Sequence, residues 1–138
     1  IGYEGCKIED YINKLIKNNV KIVVDVRKNA FSMKHNFKKN ILSNSLDKMN
    51  IKYIHIPELG IESQDRKNLK SMQDYKELFN YYEKKSLSKK NKELKILYNL
   101  IKKNSRIALT CFEKDYNMCH RSIIAKHKIF NDFDIKHI

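Results

Sequence analysis

The run from Val20 to Val26, VKIVVDV, constrains the fold more than any other stretch of this chain. It is short, rich in β-branched residues and almost entirely apolar, which is typical of a strand buried on both faces of a parallel sheet. Two similar runs follow it, Tyr53 to Ile56 and Arg106 to Phe112. Because parallel strands need long crossover connections, helices are expected between these runs.

Helical periodicity fills the intervals between the strands. Apolar residues recur at helical spacing in five segments, which begin near Ile8, Phe37, Met72, Leu94 and Cys119. Two further short strands are predicted, one at Gly2–Tyr3 and one at Asp134–Ile138. We therefore predict a single α/β domain over residues 1–138, a three-layer Rossmann-like fold with a mostly parallel sheet of about five strands flanked by helices.

Charge and targeting features narrow the class of partner. The chain has 29 Lys and Arg against 16 Asp and Glu, a net charge of +13, although most of this is lysine in a composition expected from an AT-rich genome. A positive field attracts a phosphate-bearing small molecule or a nucleic acid whatever its origin. No apolar run reaches the roughly 18 residues of a membrane span, and no secretion signal is recognisable, so we expect a cytoplasmic protein with no membrane partner.

Polar side chains gather where ligands bind in α/β proteins, at the carboxyl ends of the strands. They follow four predicted strands, and the last helix begins at the same edge of the sheet. We predict that they line one crevice. The candidates are Tyr3, Asp25, Arg27, Glu58, Cys111, Glu113, Cys119, His120, Arg121 and Ser122.

Five of these candidates are assigned to anion binding. Arginine is scarce here, four against 25 lysines, so Arg27 and Arg121 at this edge suggest a bidentate grip on phosphate. Asp25, Ser122 and Tyr3 are expected beside them, and the start of the last helix would add backbone N–H donors. The alternative for Asp25 and Arg27 is a structural ion pair.

The remaining candidates are assigned to chemistry. Cys119 at a helix start would have a lowered pKa, which would make a thiolate nucleophile, and the alternative is a buried packing residue. His120 would donate to phosphate or transfer protons, whereas Glu113 and Glu58 qualify as acid/base groups only if they are partly buried. Cys111 is a further candidate.

Known metal and cofactor motifs do not fit this sequence. The spacing C-x7-C-H of Cys111, Cys119 and His120 lacks the C-x2-C and H-x3-H pairs of structural zinc sites, so no metal is predicted. A cysteine-phosphatase loop would need arginine where Asn117 and Ala125 stand. Walker and dinucleotide-binding glycine loops are missing as well, and no cofactor is predicted.

Five short motifs in order carry a family resemblance. They are Ile1–Tyr3, Val24–Arg27, Pro57–Gly60, Cys111–Glu113 and Cys119–Ser122. Together they resemble the domain-of-unknown-function family 488 over essentially the whole chain. The resemblance implies a single α/β domain whose activity is not established. It also implies shared polar positions at Asp25, Arg27, Glu58, Cys111, Glu113, Cys119, His120 and Arg121.

Two functional hypotheses follow. The first is an enzyme that acts on a phosphate-bearing substrate, a nucleotide or nucleic acid, as a cysteine- or carboxylate-dependent hydrolase or transferase. The second is a non-catalytic nucleic-acid or nucleotide binding module that uses the eight lysines between Lys84 and Lys103. A thiol redox role for Cys111 and Cys119 is disfavoured, because their spacing is not that of a redox pair.

Overall fold

The central element of the fold is a small parallel sheet. The structure, a computed structural model, describes residues 1–67, 69–103 and 106–138. Within these residues the sheet has three strands in the order β2-β1-β3, all parallel. The strands are β1 (Ile22–Asp25), β2 (Lys52–His55) and β3 (Ile107–Thr110). The central strand β1 is buried along its whole length, as its β-branched run predicts.

Helices connect the strands, and each predicted helical segment contains one. They are α1 (Ile8–Lys17), α2 (Lys39–Asp47), α3 (Met72–Tyr81), α4 (Asn91–Lys103) and α5 (His120–Ala125). Helix α3 begins with a capping box in which Ser71 and Asp74 exchange hydrogen bonds. None of the described helices combines the length and apolar character needed to cross a bilayer.

Alternate residues of β1 enter two separate hydrophobic cores. Val24 and Val26 pack in one core with apolar residues of α3, α4 and α5. Val23 packs in the other core, together with Leu15 of α1 and Leu42 of α2. Because successive side chains of a strand point to opposite faces, the helices cover both faces of the sheet. The predicted three-layer α/β arrangement is therefore confirmed.

The prediction of about five strands is wrong. Gly2 forms a single bridge with Cys111, just beyond the end of β3, and does not form a strand. The chain turns away at once, because the N–H groups of Tyr3 and Glu4 both donate to the carbonyl of Phe112. Residues 134–138 are not a strand either, and most of them are exposed at the surface.

Candidate functional site

The candidate site lies between the carboxyl ends of β1 and β3. Helix α2 follows β1 onto one face of the sheet, whereas α5 follows β3 onto the other face. Adjacent strands whose following helices cover opposite faces define a topological switch point, where α/β proteins bind their ligands. The backbone of Val26 bridges this point, because its N–H donates to the carbonyl of Thr110 across 3.2 Å.

On the α1–α2 side of the site, Asp25 and Arg27 form a buried ion pair. The Asp25 carboxylate accepts from Nε of Arg27 at 2.9 and 3.0 Å and from a terminal nitrogen at 2.5 Å. The hydroxyl of Tyr53 donates to the same carboxylate at 2.5 Å. The other terminal nitrogen of Arg27 donates to the Tyr3 hydroxyl at 2.7 Å and to the carbonyl of Phe37 at 3.0 Å. The geometry is that of a structural ion pair, which was the alternative to anion binding for these two residues.

Burial and pairing have opposite effects on the charge of Arg27. Burial lowers the pKa of its guanidinium, but the hydrogen bonds and the negative charge of Asp25 raise it above its ordinary value. Arg27 therefore stays charged, and its guanidinium is already hydrogen-bonded to Asp25, Tyr3 and Phe37. Tyr3 is equally fixed, since its ring stacks on Phe37 with centroids 4.3 Å apart.

On the other side of the site, two thiols and an imidazole meet. Nδ1 of His120 lies 3.9 Å from Sγ of Cys111 and 3.9 Å from Sγ of Cys119. Nε2 of His120 lies 2.9 Å from the carbonyl oxygen of Val26. Because a carbonyl can only accept, Nε2 carries the hydrogen, and the lone pair of the neutral ring is on Nδ1, facing the sulfurs. All three side chains are buried.

A carboxylate and a guanidinium adjoin this cluster. Glu113 forms an ion pair with Arg66, and its buried Oε2 accepts no N–H or O–H hydrogen bond within the part of the chain that the structure describes. Burial raises the pKa of Glu113, but the Arg66 charge and hydrogen bonds from Cys119 and Cys111 bring it below its ordinary value. Glu113 is thus an anion near neutral pH, which suits a base or a ligand better than a proton donor.

A cleft of about 420 Å³ opens at the same edge of the sheet. It reaches Cys111 and His120, whereas Cys119 does not line it. Four Lys and Arg side chains line its walls, together with three apolar side chains that are exposed to solvent. The basic ones are Lys28, Lys34, Arg66 and Arg27, whose charge is paired with Asp25, and the apolar ones are Phe31, Met33 and Phe112.

Residues 28–34 form one wall of this cleft, and two contacts hold the start of this wall in place. Nε2 of His55 lies 2.9 Å from the carbonyl oxygen of Arg27, where the segment begins. Gly60 packs directly on the backbone of Lys28, since a Cβ at this position would lie 2.2 Å from the Lys28 nitrogen. A side chain at position 60 would therefore push the wall outward.

Comparison with known proteins places the chain in a family. A family model described as Domain of unknown function DUF488 matches residues 7–127, which is most of the chain. The chain belongs to this family. No curated protein and no solved structure matches it. In this DUF488 domain the buried cluster, the Asp25–Arg27 pair and all residues that line the cleft except Tyr3 lie within the matched residues.

Two predicted anion ligands of the DUF488 domain hold loops together. Arg121 donates to the carbonyls of Glu113 at 2.7 Å and Lys114 at 3.1 Å, and it does not line the cleft. The hydroxyl of Ser122 donates to the carbonyl of Cys119 at 2.8 Å. Both side chains are buried, so their geometry is that of supports for the segment between β3 and α5.

The predicted properties of Cys119 and Glu58 change in the DUF488 domain. The expectation of a lowered Cys119 pKa is wrong, because burial raises the pKa of this thiol well above its ordinary value. Burial is the largest effect, and the neighbouring Cys111 raises the pKa further, so together they outweigh the lowering by His120. Glu58 is exposed and lies outside the residues that line the cleft, which deprives it of the partial burial that an acid/base role requires.

The sequence analysis missed Arg66 and the cleft segment from Lys28 to Lys34. The scarcity of arginine that singled out Arg27 and Arg121 applies equally to Arg66, which is one of the four arginines. Arg66 lies in a short 3-10 turn, Ser63–Arg66, with no strand end near it in sequence, so topology alone could not place it. The scarcity of arginine was therefore the one sequence signal that could have identified Arg66 as a candidate.

Proposed function

We propose that this DUF488 domain is an enzyme that acts on a phosphate-bearing substrate, a nucleotide or a nucleic acid, bound in the cleft. The observation that carries the proposal is that the cleft joins four Lys and Arg side chains, one of them the buried Arg27, to the buried pair of Cys111 and His120. A cavity in which cationic side chains meet groups able to transfer protons or bind a reacting atom has the composition of an active site.

Phosphate would contact the cationic walls. Arg66 donates to Glu113 through one terminal nitrogen, and a guanidinium has five N–H donors in a planar fork. Its side chain is 29% exposed, so part of that fork faces the cleft. Lys34 donates to the carbonyl of Cys6 at 2.9 Å, and its ammonium has further hydrogens for a phosphate oxygen.

The apolar rim favours a nucleotide or nucleic acid over a sugar phosphate. Phe31 is 72% exposed and Met33 is 94% exposed, which is costly for a monomer unless something covers them. The ammonium of Lys38 lies 5.2 Å from the centroid of the Phe31 ring. Aromatic side chains interleaved with lysines are how proteins stack bases while holding a phosphate backbone.

The reacting groups in the cleft would be Cys111 and His120, and Glu113 would support them from outside the residues that line it. His120 offers a lone pair at Nδ1 that the Val26 carbonyl keeps oriented, which makes it able to accept a proton within the cleft. Glu113 would hold negative charge beside it, and Arg66 would position the phosphate against both. This arrangement supports hydrolysis or group transfer at the bound phosphate-bearing substrate.

Binding can be tested with one variant and a matched control. Isothermal titration with nucleotides and short single-stranded oligonucleotides should detect a ligand for the wild-type domain, and Arg66→Ala should weaken it at least about tenfold. Arg106→Ala removes an exposed arginine at the amino end of β3, far from the cleft, and should bind like the wild type. Equal binding by both variants, or no phosphate-bearing ligand at all, contradicts the proposal.

Catalysis is tested separately. The oligonucleotide or nucleotide that binds best is incubated with wild type and with His120→Ala, and the products are followed by chromatography. Turnover by the wild type that is lost in the variant, with binding retained, supports an enzyme. Binding with no turnover in either protein favours a second candidate function, a non-catalytic nucleic-acid binding module.

The second candidate is a non-catalytic nucleic-acid binding module. Lys84, Lys85 and Lys89 are exposed in the turns that follow α3, away from the residues that line the cleft. Such a surface binds phosphates without reading sequence, so its affinity falls steeply with salt. Replacing these three lysines with glutamine should then weaken binding to unrelated DNA and RNA, and Arg66→Ala should not.

A further inference from the structure

We propose that Cys111, Cys119 and His120 form a binding site for one Zn²⁺ ion or a similar borderline-soft divalent metal. The two sulfurs and Nδ1 of the imidazole lie within 4.8 Å of one another, and all three side chains are buried. Thiolate and imidazole are the ligands that zinc prefers.

The separations between the ring nitrogen and each sulfur fit a tetrahedral ion. With Zn–S of about 2.3 Å and Zn–N of about 2.0 Å, a sulfur and a nitrogen on one ion lie about 3.6 Å apart. Nδ1 of His120 lies 3.9 Å from each sulfur, so a contraction of a few tenths of an ångström suffices. A hydrogen bond from one thiol S–H to Nδ1 explains one of these contacts. It does not explain both, because Nδ1 has a single lone pair and two sulfurs lie at the same distance from it.

The surroundings of His120 have the form expected around a metal ligand. A histidine that binds a metal through one nitrogen usually donates the other N–H to a carbonyl or carboxylate, which fixes the ring. Nε2 of His120 makes this contact with the Val26 carbonyl, and Val26 is held in turn by Thr110. The lone pair of Nδ1 is thereby aimed at the sulfurs without any help from an ion.

A second observation points to a further group at this place. Oε2 of Glu113 is buried beside the cluster and accepts no N–H or O–H hydrogen bond from the described residues, and the other donors near this carboxylate are the weak thiol groups of Cys119 and Cys111. An orphaned carboxylate oxygen costs free energy unless a cation or a water satisfies it. A water in the fourth position of the metal would serve it, and Cys111 and His120 line the cleft through which that water would enter.

The proposal departs from the expectation of no metal that was drawn from the spacing of the two cysteines. Seven residues separate Cys111 from Cys119, and the turn that contains Tyr116–Met118 brings the two thiols together. Three protein ligands with one open position are the composition of catalytic rather than structural zinc sites. The inference goes beyond the proposed function and changes one role in it. With the ion bound, the Nδ1 lone pair of His120 would be held by the metal, and a metal-bound water would accept the proton in the cleft.

Metal binding is tested on the full chain without any substrate. The protein is stripped with a chelator under reducing conditions and titrated with ZnCl₂, and in parallel with CoCl₂ while thiolate-to-cobalt absorption is recorded. One equivalent should bind, and two protons should be released per Zn²⁺ as both thiols lose their hydrogens. Binding of less than one equivalent, or no proton release, overturns the site.

Variants locate the ion. Cys111→Ser, Cys119→Ser and His120→Ala should each weaken Zn²⁺ binding on the order of 100-fold or more, whereas Cys6→Ser should leave it unchanged. If Cys119→Ser does not fold by circular dichroism, the cobalt spectrum of the wild type still reports how many thiolates bind. Equal loss in Cys6→Ser, or weak binding of several ions that no variant changes, overturns the proposal. Because Arg66→Ala should keep its zinc, failure of the metal site and failure of the substrate proposal are separable.

Discussion

Asp25 and Arg27 are two residues apart in sequence and form a buried ion pair in which Oδ2 and a terminal guanidinium nitrogen are 2.5 Å apart. The Asp25 side chain is fully buried and that of Arg27 is 6% exposed. The pair links the last residue of the central strand to the residue that precedes the cleft wall. It therefore helps to fix the position of the wall and also stabilises the domain.

Removing one partner of this pair should be strongly destabilising. Asp25→Asn leaves the Arg27 charge buried without its counter-ion, so we expect the free energy of unfolding to fall by about 3–5 kcal/mol in urea denaturation. The matched control is Glu62→Gln, which breaks the exposed ion pair with Lys28 and should cost about 0–1 kcal/mol. Similar losses in both variants would contradict a structural role for Asp25.

The Tyr53 hydroxyl should contribute separately to this network. Tyr53→Phe removes the hydrogen bond to Asp25 without changing the ring, and we expect a loss of about 1.5 kcal/mol, since the acceptor is charged. Tyr81→Phe removes a hydroxyl from a side chain that is 54% exposed and should change stability by less than about 0.5 kcal/mol. The two variants are compared by thermal unfolding, and a larger loss for Tyr81→Phe would refute the assignment.

Gly60 should be intolerant of any side chain. Gly60→Ala places a methyl group against the backbone of Lys28, which cannot rotate away as a side chain would, so we expect a loss of about 1–3 kcal/mol. Binding of nucleotides should weaken with it, because Lys28 lines the cleft. Glu58→Ala, two residues earlier and exposed, should leave stability and binding unchanged. Unaltered stability and ligand affinity in Gly60→Ala would show that the Lys28 backbone can move aside at no cost, which would contradict this prediction.

Alkylation should separate the three cysteines by burial. Cys6 is partly exposed and should react with iodoacetamide in the native protein, whereas Cys111 and Cys119 are buried and should react only at the rate of opening. For Cys119 the raised pKa slows the reaction further. Peptide mass spectrometry over time measures the order, with the denatured chain as the control in which all three react. Modification of Cys119 as fast as Cys6 would contradict its placement.

The sequence predicts the strands and helices well because their signals are local. The apolar run around Val23 and the helical spacing around Leu42 each encode one element, and the rule for parallel strands then places their carboxyl ends together. Gly2 and residues 134–138 are different: whether a short segment pairs depends on the course of its neighbours, which periodicity does not contain.

The site was predictable in location but only partly in roles. The rule that ligands bind at strand ends brought Cys111 and His120 into one crevice, as the structure has them. The Asp25–Arg27 pair could be named as an alternative because the two residues lie in the same short motif. The backbone carbonyls that accept from Arg27 and Arg121 belong to loops whose course no motif shows, so the engagement of these guanidinium groups was not predictable. Arg66 reaches Glu113 across 47 positions, and only the fold supplies that contact.

Val26 belongs both to the sheet and to the site, because its N–H holds β3 and its carbonyl orients His120. A change that loosens the contact between β1 and β3 would therefore tilt the imidazole as well. The strength of the contact between the strands and the orientation of the His120 ring are thus coupled through the backbone of this one residue.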